Sequence, residues 1–276
     1  MSDSSKQFCS CELLSNIEAI TFYKKNIMTE RITELKFSWS GASPKAGQFF
    51  MLKPKNSSVF LGRPISVFSW DEESVSFLVL KRGRGTEELA DLRKGEQADL
   101  IGPLGNAWKD NLSGDFPIAL VSGGIGIAPM LAFTKELEAK SYDFFAGFKS
   151  YRNFFLNSRS NLQARSLVIA NEVENITTDD VVYENGYSIS IKKGLVTDFL
   201  NVEQYKAVYA CGPEAMLKAV ANICKKASVP CFISMERHMA CGLGTCLGCT
   251  IKTTGGNRRC CTEGPVFNAD DVFFDE

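Results

Sequence analysis

Five of the ten cysteines in this chain fall within the 21 residues from Cys241 to Cys261, and that run constrains the fold more than any other feature. It reads CGLGTCLGC over 241–249, followed by the adjacent pair Cys260 and Cys261. From Cys231 onward the sequence is rich in glycine and cysteine and ends in DDVFFDE. A segment that short cannot bury a core by itself, so a metal centre is the expected staple. The N-terminus, MSDSSKQFCSCELL, carries an early acidic residue and no long apolar stretch, so no signal peptide is expected and the chain should stay in the cytoplasm. There its cysteines are thiols or metal ligands rather than disulfides. The single histidine, His238, removes most mixed Cys/His zinc sites and every histidine-based triad.

Cys241, Cys246 and Cys249 are separated by four and then two residues. That is the plant-type spacing, in which a tight loop wraps one edge of a [2Fe-2S] cluster and a distant fourth cysteine closes it. Gly242, Gly244 and Gly248 suit such a loop, because they let the backbone turn tightly and aim N–H groups at the sulfurs. Consecutive side chains point in different directions, so only one of Cys260 and Cys261 can reach, and spacing does not choose between them. The plainer alternatives are a structural zinc on four of these cysteines, or inert buried thiols. Cys9, Cys11, Cys224 and Cys231 have no partner at ligand spacing and read as ordinary tail, helix and strand thiols.

The remaining 230 or so residues are long enough for two ordinary cores. With 31 basic against 32 acidic residues, the formal charge of −1 favours neither nucleic acid nor anionic membrane as a partner. Residues 116–134 carry no charge and approach a membrane-spanning length, but Gly123, Gly124, Gly126 and Pro129 interrupt the run. It reads better as a buried strand, a glycine turn and a helix start. Between Glu12 and Trp108 lie short strand-like runs bounded by turn residues: AITFY, RITELKFSW, GQFFMLKP, RPISVFSW and SVSFLVLKR. After Gly114 apolar strands alternate with helical patterns such as IAPMLAFTKELEAK and EAMLKAVANICKKA. The expected organisation is an α+β multidomain chain: an antiparallel β-barrel over 12–112, a doubly wound parallel α/β domain over 113–230, and a small cysteine-rich domain over 231–276.

Two groups of motifs fall on these domains. RPISVF (63–68) follows a strand, and its arginine fork is suited to a pyrophosphate while Ser66 and the strand backbone can bond a ring system; alone it is an edge strand beginning at Pro64. KRGRGTEEL supplies Gly83, Gly85 and Thr86 at a helix start, and GPLGNAW (102–108) ends the barrel. VSGGIGIAPM (121–130) places three glycines between a buried strand and a helix, where free N–H groups meet phosphate, and YACGPEAM (209–216) forms a second such turn. Either turn could equally be tight and empty, with Cys211 a small core residue. Lys149 and Arg152 follow a strand where a ribose-phosphate reader could sit.

SMERHMACGLGTCLGCTIK and RRCCTEGPVF resemble the C-terminal domain of the electron-transfer subunits of NAD-dependent (type B) dihydroorotate dehydrogenase, and RPISVF and YACGPEAM resemble motifs of the wider ferredoxin reductase superfamily. The likeness spans nearly the whole chain in the family's order. It implies that the closing ligand is Cys261, two residues before Glu263 and Gly264-Pro265-Val266-Phe267, giving the set Cys241, Cys246, Cys249 and Cys261. It implies FAD bound by Arg63, Pro64, Ile65, Ser66, Leu78, Val79, Leu80, Gly85 and Thr86. NAD(P)H is implied at Gly123, Gly124, Gly126, Gly212 and Pro213, with Cys211 in the catalytic position beside the nicotinamide. The implied activity passes electrons from NADH through FAD and the [2Fe-2S] cluster to an FMN-containing catalytic subunit of pyrimidine biosynthesis, in a hetero-oligomer that the family builds as a heterotetramer. The alternative is the homologous subunit of a ferredoxin:NADP oxidoreductase, sulfide dehydrogenase or hydrogenase complex. The N-terminal strand region, SYRNFFLNSRSNLQARS and the Cys260-Cys261 doublet depart from the family pattern.

Overall fold

A computed structural model describes residues 7–18, 32–109, 116–149, 162–173, 175, 178–182 and 188–274. The expected strand AITFY and most of SYRNFFLNSRSNLQARS, Arg152 included, lie outside the described residues. Two compact units emerge: 7–18, 32–108 and 236–266 form one, and 109–235 with 267–274 form the other.

The first unit contains a closed barrel. Its strands are β1 (Gln7–Glu18), β2 (Ile32–Ser38), β3 (Phe49–Pro54), β4 (Arg63–Trp70), β5 (Ser74–Leu80) and β6 (Gln97–Leu104), in the order β1-β2-β5-β4-β3-β6. The strand β1 starts ahead of residue 12 and closes the barrel by serving two neighbours. Its first half pairs with β6 from Gln7↔Gly102 to Glu12↔Gln97, and its second half, after a register shift at Leu13/Ser15, pairs with β2. Alternation along the strands sends Leu35, Phe37, Phe50, Leu52, Val67, Val75, Phe77, Val79 and Leu100 into one core. Phe77 is its hub, with ring centroids 5.4 Å from Phe50 and 6.2 Å from Phe37. Between β5 and β6 runs a short helix, α1 (Arg84–Ala90), which buries Leu89 and Ala90.

The second unit is an open sheet. Its strands are β7 (Ile118–Gly123), β8 (Tyr142–Phe148), β9 (Ser166–Asn171), β10 (Thr178–Val182), β11 (Ser188–Lys193), β12 (Ala207–Cys211) and β13 (Cys231–Ser234). The order is β10-β11-β9-β8-β7-β12-β13, parallel from β11 to β13, with β10 antiparallel at one edge. The first strand, β7, sits between β8 and β12, so the order reverses there. A reversal of this kind opens a crevice at the carboxyl ends of the strands, the usual ligand position of a doubly wound sheet.

Two helices belong to this sheet, α2 (Ile127–Phe133) and α3 (Glu214–Ala227). All seven residues of α2 are buried, whereas the charged TKELEA stretch expected to continue it is largely exposed. With no apolar face left to bury, the chain tightens after Phe133: Lys135 and Glu136 N–H bond back only three residues, to Ala132 and Phe133. The stretch Cys231–Ser234, expected to open the cysteine-rich domain, is instead a sheet strand in register with β12 from Val208↔Cys231 to Cys211↔Ser234. Beyond it the chain forms a hairpin, β14 (Thr250–Thr253) and β15 (Gly256–Arg259), and a last strand, β16 (Val266–Asn268), next to β13. No helix among the described residues is long and apolar enough to cross a membrane.

A buried polar knot pins the start of β8. The carboxyl of Asp143, 4% exposed, accepts from Tyr205 Oη at 3.0 Å and Ser166 Oγ at 2.9 Å, with Arg165 at 3.5 Å. Burial first, and then the neighbouring Asp143, push the Tyr205 phenol above its usual range, so it remains a donor. Tyr205→Phe removes one donor from a buried carboxyl and is expected to lower stability by about 1.5–3 kcal/mol in urea unfolding; an unchanged midpoint contradicts this account.

Candidate electron-transfer sites

The hairpin decides which cysteines meet. Thr250↔Arg259 is its open end, which places Cys249 beside Cys260, and the Cys260 N–H bonds the Cys249 carbonyl at 3.1 Å. The next side chain, that of Cys261, is then directed at the Cys249 thiol, with which it hydrogen-bonds. Cys241 and Cys246 are hydrogen-bonded in the same way. Four thiols thus stand as two pairs, 241 with 246 and 249 with 261, as a two-iron centre with two cysteines on each iron requires. Among the described residues no three His, Cys, Asp or Glu side chains are placed to hold a single metal ion.

The loop between these cysteines turns through left-handed backbone at Gly242, Gly244 and Leu247. Those turns aim amides at sulfur, as in Leu243 N–H to Cys241 Sγ at 3.3 Å. Burial opposes ionisation of Cys241, but the N–H groups of Cys246, Leu243 and Thr245 outweigh it and bring the thiol down to about 6. Burial pushes Cys260 up to about 12. Burial and the Cys249 thiol push Cys261 up to about 11, opposed by the Gly244 N–H. An N–H cradle around sulfur is chemistry for thiolate ligands, and the donor set fits a [2Fe-2S] cluster. Cys249 and Cys261 are buried and Cys246 is exposed, so the pair 241/246 lies on the outer side.

The cysteine loop and its closing segment are fastened to the barrel. A Cβ at Gly242 would stand 2.7 Å from Met51 Cγ of β3, and one at Gly105 would stand 2.5 Å from Pro265 Cδ. Asn106 completes the attachment: its carbonyl oxygen accepts from Val266 N at 2.9 Å, and its amide donates to Val266 O at 2.8 Å and Glu263 O at 3.2 Å. Glu263 in turn accepts from Arg258 Nη1 at 2.7 Å and from Arg259 N and Nε, while Arg259 Nη1 reaches Gly244 O at 3.3 Å. The Arg259 N–H and then the Arg258 side chain hold the Glu263 carboxyl down to about 2. Sequence reading saw GPLGNAW only as the end of the barrel and missed Asn106 as a clamp; its partners are about 160 residues away.

Met51 is paired with Pro64 across β3 and β4, so the loop rests one strand from the RPISVF segment. There Arg63 lies against the first turn of α1: a Cβ at Gly85 would stand 2.3 Å from its Nε, and its Nη1 donates to Leu61 O and Gly62 O. Thr86 lies in the same turn, but its hydroxyl is engaged locally, accepting from Arg82 N and Gly83 N and donating to Gly83 O. The ladder between β4 and β5 ends at Val67↔Phe77. Pro64, Ile65 and Ser66 on one strand, and Leu78, Val79 and Leu80 on the other, lie beyond that last pair. Val79 points into the barrel core, so its side chain cannot meet a ligand there.

In the second unit the two glycine turns meet at the strand reversal, where Ser122 pairs with Cys211. Their glycines serve backbone packing: a Cβ at Gly126 would stand 2.3 Å from Cys211 O, and one at Gly212 would stand 2.8 Å from Gly123 N. Gly123 lies equally close to Pro213 Cδ, at 2.7 Å. Gly124 differs, having φ +53 and no heavy atom within 4 Å of its added Cβ, so it borders open space. Cys211 is 2% exposed. Lys149 is exposed at the end of β8.

In fold the chain is similar to the NADH-dependent reduced ferredoxin-NADP oxidoreductase structure, with a TM-score of 0.76 at 19% identity, covering 100% of this chain and 92% of that one. Barrel, strand-reversal turns and paired cysteines together make it an NAD(P)H-dependent flavin and iron–sulfur oxidoreductase. A model of the iron-sulfur cluster binding domain of dihydroorotate dehydrogenase B matches residues 236–273, and one of the oxidoreductase NAD-binding domain matches 120–222. The dihydroorotate dehydrogenase B (NAD(+)) electron transfer subunit of Clostridium acetobutylicum is 39% identical over 84% of this chain and 87% of its own. That of Caldanaerobacter subterraneus subsp. tengcongensis is 35% identical over 90% and 94%. The chain belongs to this family of electron transfer subunits.

Two substitutions probe these sites. Gly126→Ala forces a methyl into the Cys211 carbonyl and is expected to weaken NADH binding at least about tenfold while leaving the visible spectrum unchanged. Asn106→Ala orphans the Val266 N–H, at a cost of about 1–3 kcal/mol, and is expected to speed iron loss to a chelator about tenfold. Unchanged NADH titration or iron release, respectively, counts against each role.

Proposed function

We propose that this chain delivers electrons from NADH to an FMN-containing dihydroorotate dehydrogenase catalytic subunit, with which it assembles as a heterotetramer in the cytoplasm. The observation that carries this reading is the pairing of cysteines between a loop and its closing segment, with the loop packed against Met51, one strand from the RPISVF segment. FAD, if bound here, would supply the chemistry of taking up an electron pair as hydride and giving electrons up singly, and a [2Fe-2S] cluster held by the cysteines would supply one-electron transfer.

Around those groups the chain's own residues bind and align. Arg63 and the turn at Gly85 and Thr86 neutralise the pyrophosphate of FAD, while Ser66 and the backbone of Pro64, Ile65, Leu78, Val79 and Leu80 bond the flavin. Gly123, Gly124 and Gly126 bring a helix start and free amides to the nucleotide phosphates, and Cys211, Gly212 and Pro213 bring backbone close to the nicotinamide. Cys241, Cys246, Cys249 and Cys261 ligate the iron, and the amides around Cys241 offset the negative charge of the centre. By this assignment flavin binding belongs to the barrel from β1 to β6, pyridine nucleotide to the open sheet, whose last parallel strand is β13, and the cluster to the segment that follows β13. Family membership supports the partner, and reduced thiols suit the cytoplasm.

The test is anaerobic co-expression with a dihydroorotate dehydrogenase catalytic chain. The expected result is a co-purifying complex with about two irons and one FAD per copy of this chain, which oxidises NADH with orotate as acceptor and, run in reverse, reduces NAD on addition of dihydroorotate. Reduction of ferredoxin or sulfide chemistry in place of dihydroorotate oxidation rejects the proposed partner. Cys261→Ser is expected to lose the iron and Cys260→Ser to retain it, and the reverse pattern overturns the ligand set.

A further inference from the structure

Thr262 follows the closing cysteine and takes no part in the roles above. Its N–H donates to Arg259 O at 3.3 Å, but its Oγ1 is buried and has no hydrogen-bond partner within the protein. Burying a hydroxyl unpaired is unfavourable, so a group of this kind calls for an acceptor. Its place narrows the choice. A Cβ added to Gly244 would stand 2.9 Å from Thr262 Cγ2 and 3.3 Å from Oγ1. Gly244 lies between Cys241 and Cys246, and its own N–H is bonded to the Cys261 sulfur. The hydroxyl is therefore enclosed between the ligand loop and the closing ligand.

The backbone acceptors on either side are engaged. Gly244 O receives Arg259 Nη1, and Arg259 O already receives the N–H groups of Thr262, Glu263 and Gly264. What a [2Fe-2S] centre brings to this enclosure is sulfur bearing negative charge, which accepts hydrogen bonds. We propose that the Thr262 hydroxyl donates a hydrogen bond to a sulfur of the [2Fe-2S] unit and thereby raises its reduction potential. This rests on the reading that the four cysteines hold the cluster. Reduction adds one negative charge to the unit, so a donor stabilises the reduced form more than the oxidised form. Thr262 is then a positioning and tuning residue, acting through the cluster's charge rather than by ligation.

Redox titration of Thr262→Val and Thr262→Ser, followed by visible absorption and electron paramagnetic resonance, tests the assignment. Valine keeps the shape and removes the donor; serine keeps the donor. The valine variant is expected to hold wild-type iron and to be reduced about tenfold less favourably, which is about 59 mV lower for a one-electron couple. The serine variant is expected to titrate as wild type. Iron–sulfur stretching bands that shift in deuterium oxide for wild type and serine, and not for valine, support the same bond. Equal potentials for valine and wild type overturn the proposal while leaving the ligand set intact. A wild-type protein without iron overturns the ligand set itself, and this role with it. Should valine assemble no cluster, Thr262→Ala is titrated in its place, and the same lowering decides.

Discussion

The segment that carries the four cysteines has almost no apolar interior, and close backbone packing on the barrel takes the place of a core. Gly242 lies on Met51, Gly105 lies on Pro265, and Asn106 bonds both faces of the chain at Val266. Side chains larger than hydrogen at either glycine would push the segment off β3 and β6. The ligand loop is held to within one strand of Arg63–Ser66 because nothing intervenes. A flavin and a one-electron carrier must be near one another to exchange electrons, and with the proposed sites this packing would set their spacing in the first unit.

The same device recurs in the second unit for a different purpose. Gly123, Gly126 and Gly212 allow the turn after β7 and the turn after β12 to touch backbone to backbone at the strand reversal. A sequence reader sees three glycines before a helix and infers a phosphate loop. In the structure most of them serve contact between the two turns, and only Gly124 borders open space. The two readings are compatible, since the close contact places the two turns side by side, where the proposed function puts the nucleotide.

Much of this was legible in the chain itself. The spacing 241, 246, 249 named a two-iron centre, short alternating or β-branched runs between turn residues marked β2 to β5, and the apolar runs marked a parallel sheet. The choice between Cys260 and Cys261 was not legible by spacing. The hairpin register sets Cys260 against the Cys249 backbone and turns Cys261 toward the Cys249 thiol, which is the arrangement the proposed ligand set needs. The length of α2 was overestimated because helical propensity continues through TKELEAK, while burial ends at Phe133. Cys231–Ser234 was assigned to the wrong neighbour for the converse reason: a four-residue apolar run does not say which sheet it joins.

Local covalent pattern alone therefore determined which chemistry the chain carries, since ligand spacing, glycine turns and strand periodicity are properties of a few consecutive residues. Tertiary structure alone decided which side chains complete it. Asn106 with Val266, Thr262 with Gly244 and Arg63 with Gly85 are contacts between residues distant along the chain, and such contacts leave no periodic trace in sequence. They exist because folding the first unit around its barrel core brings those backbones together, and hydrogen bonds and close packing then select what each position can hold.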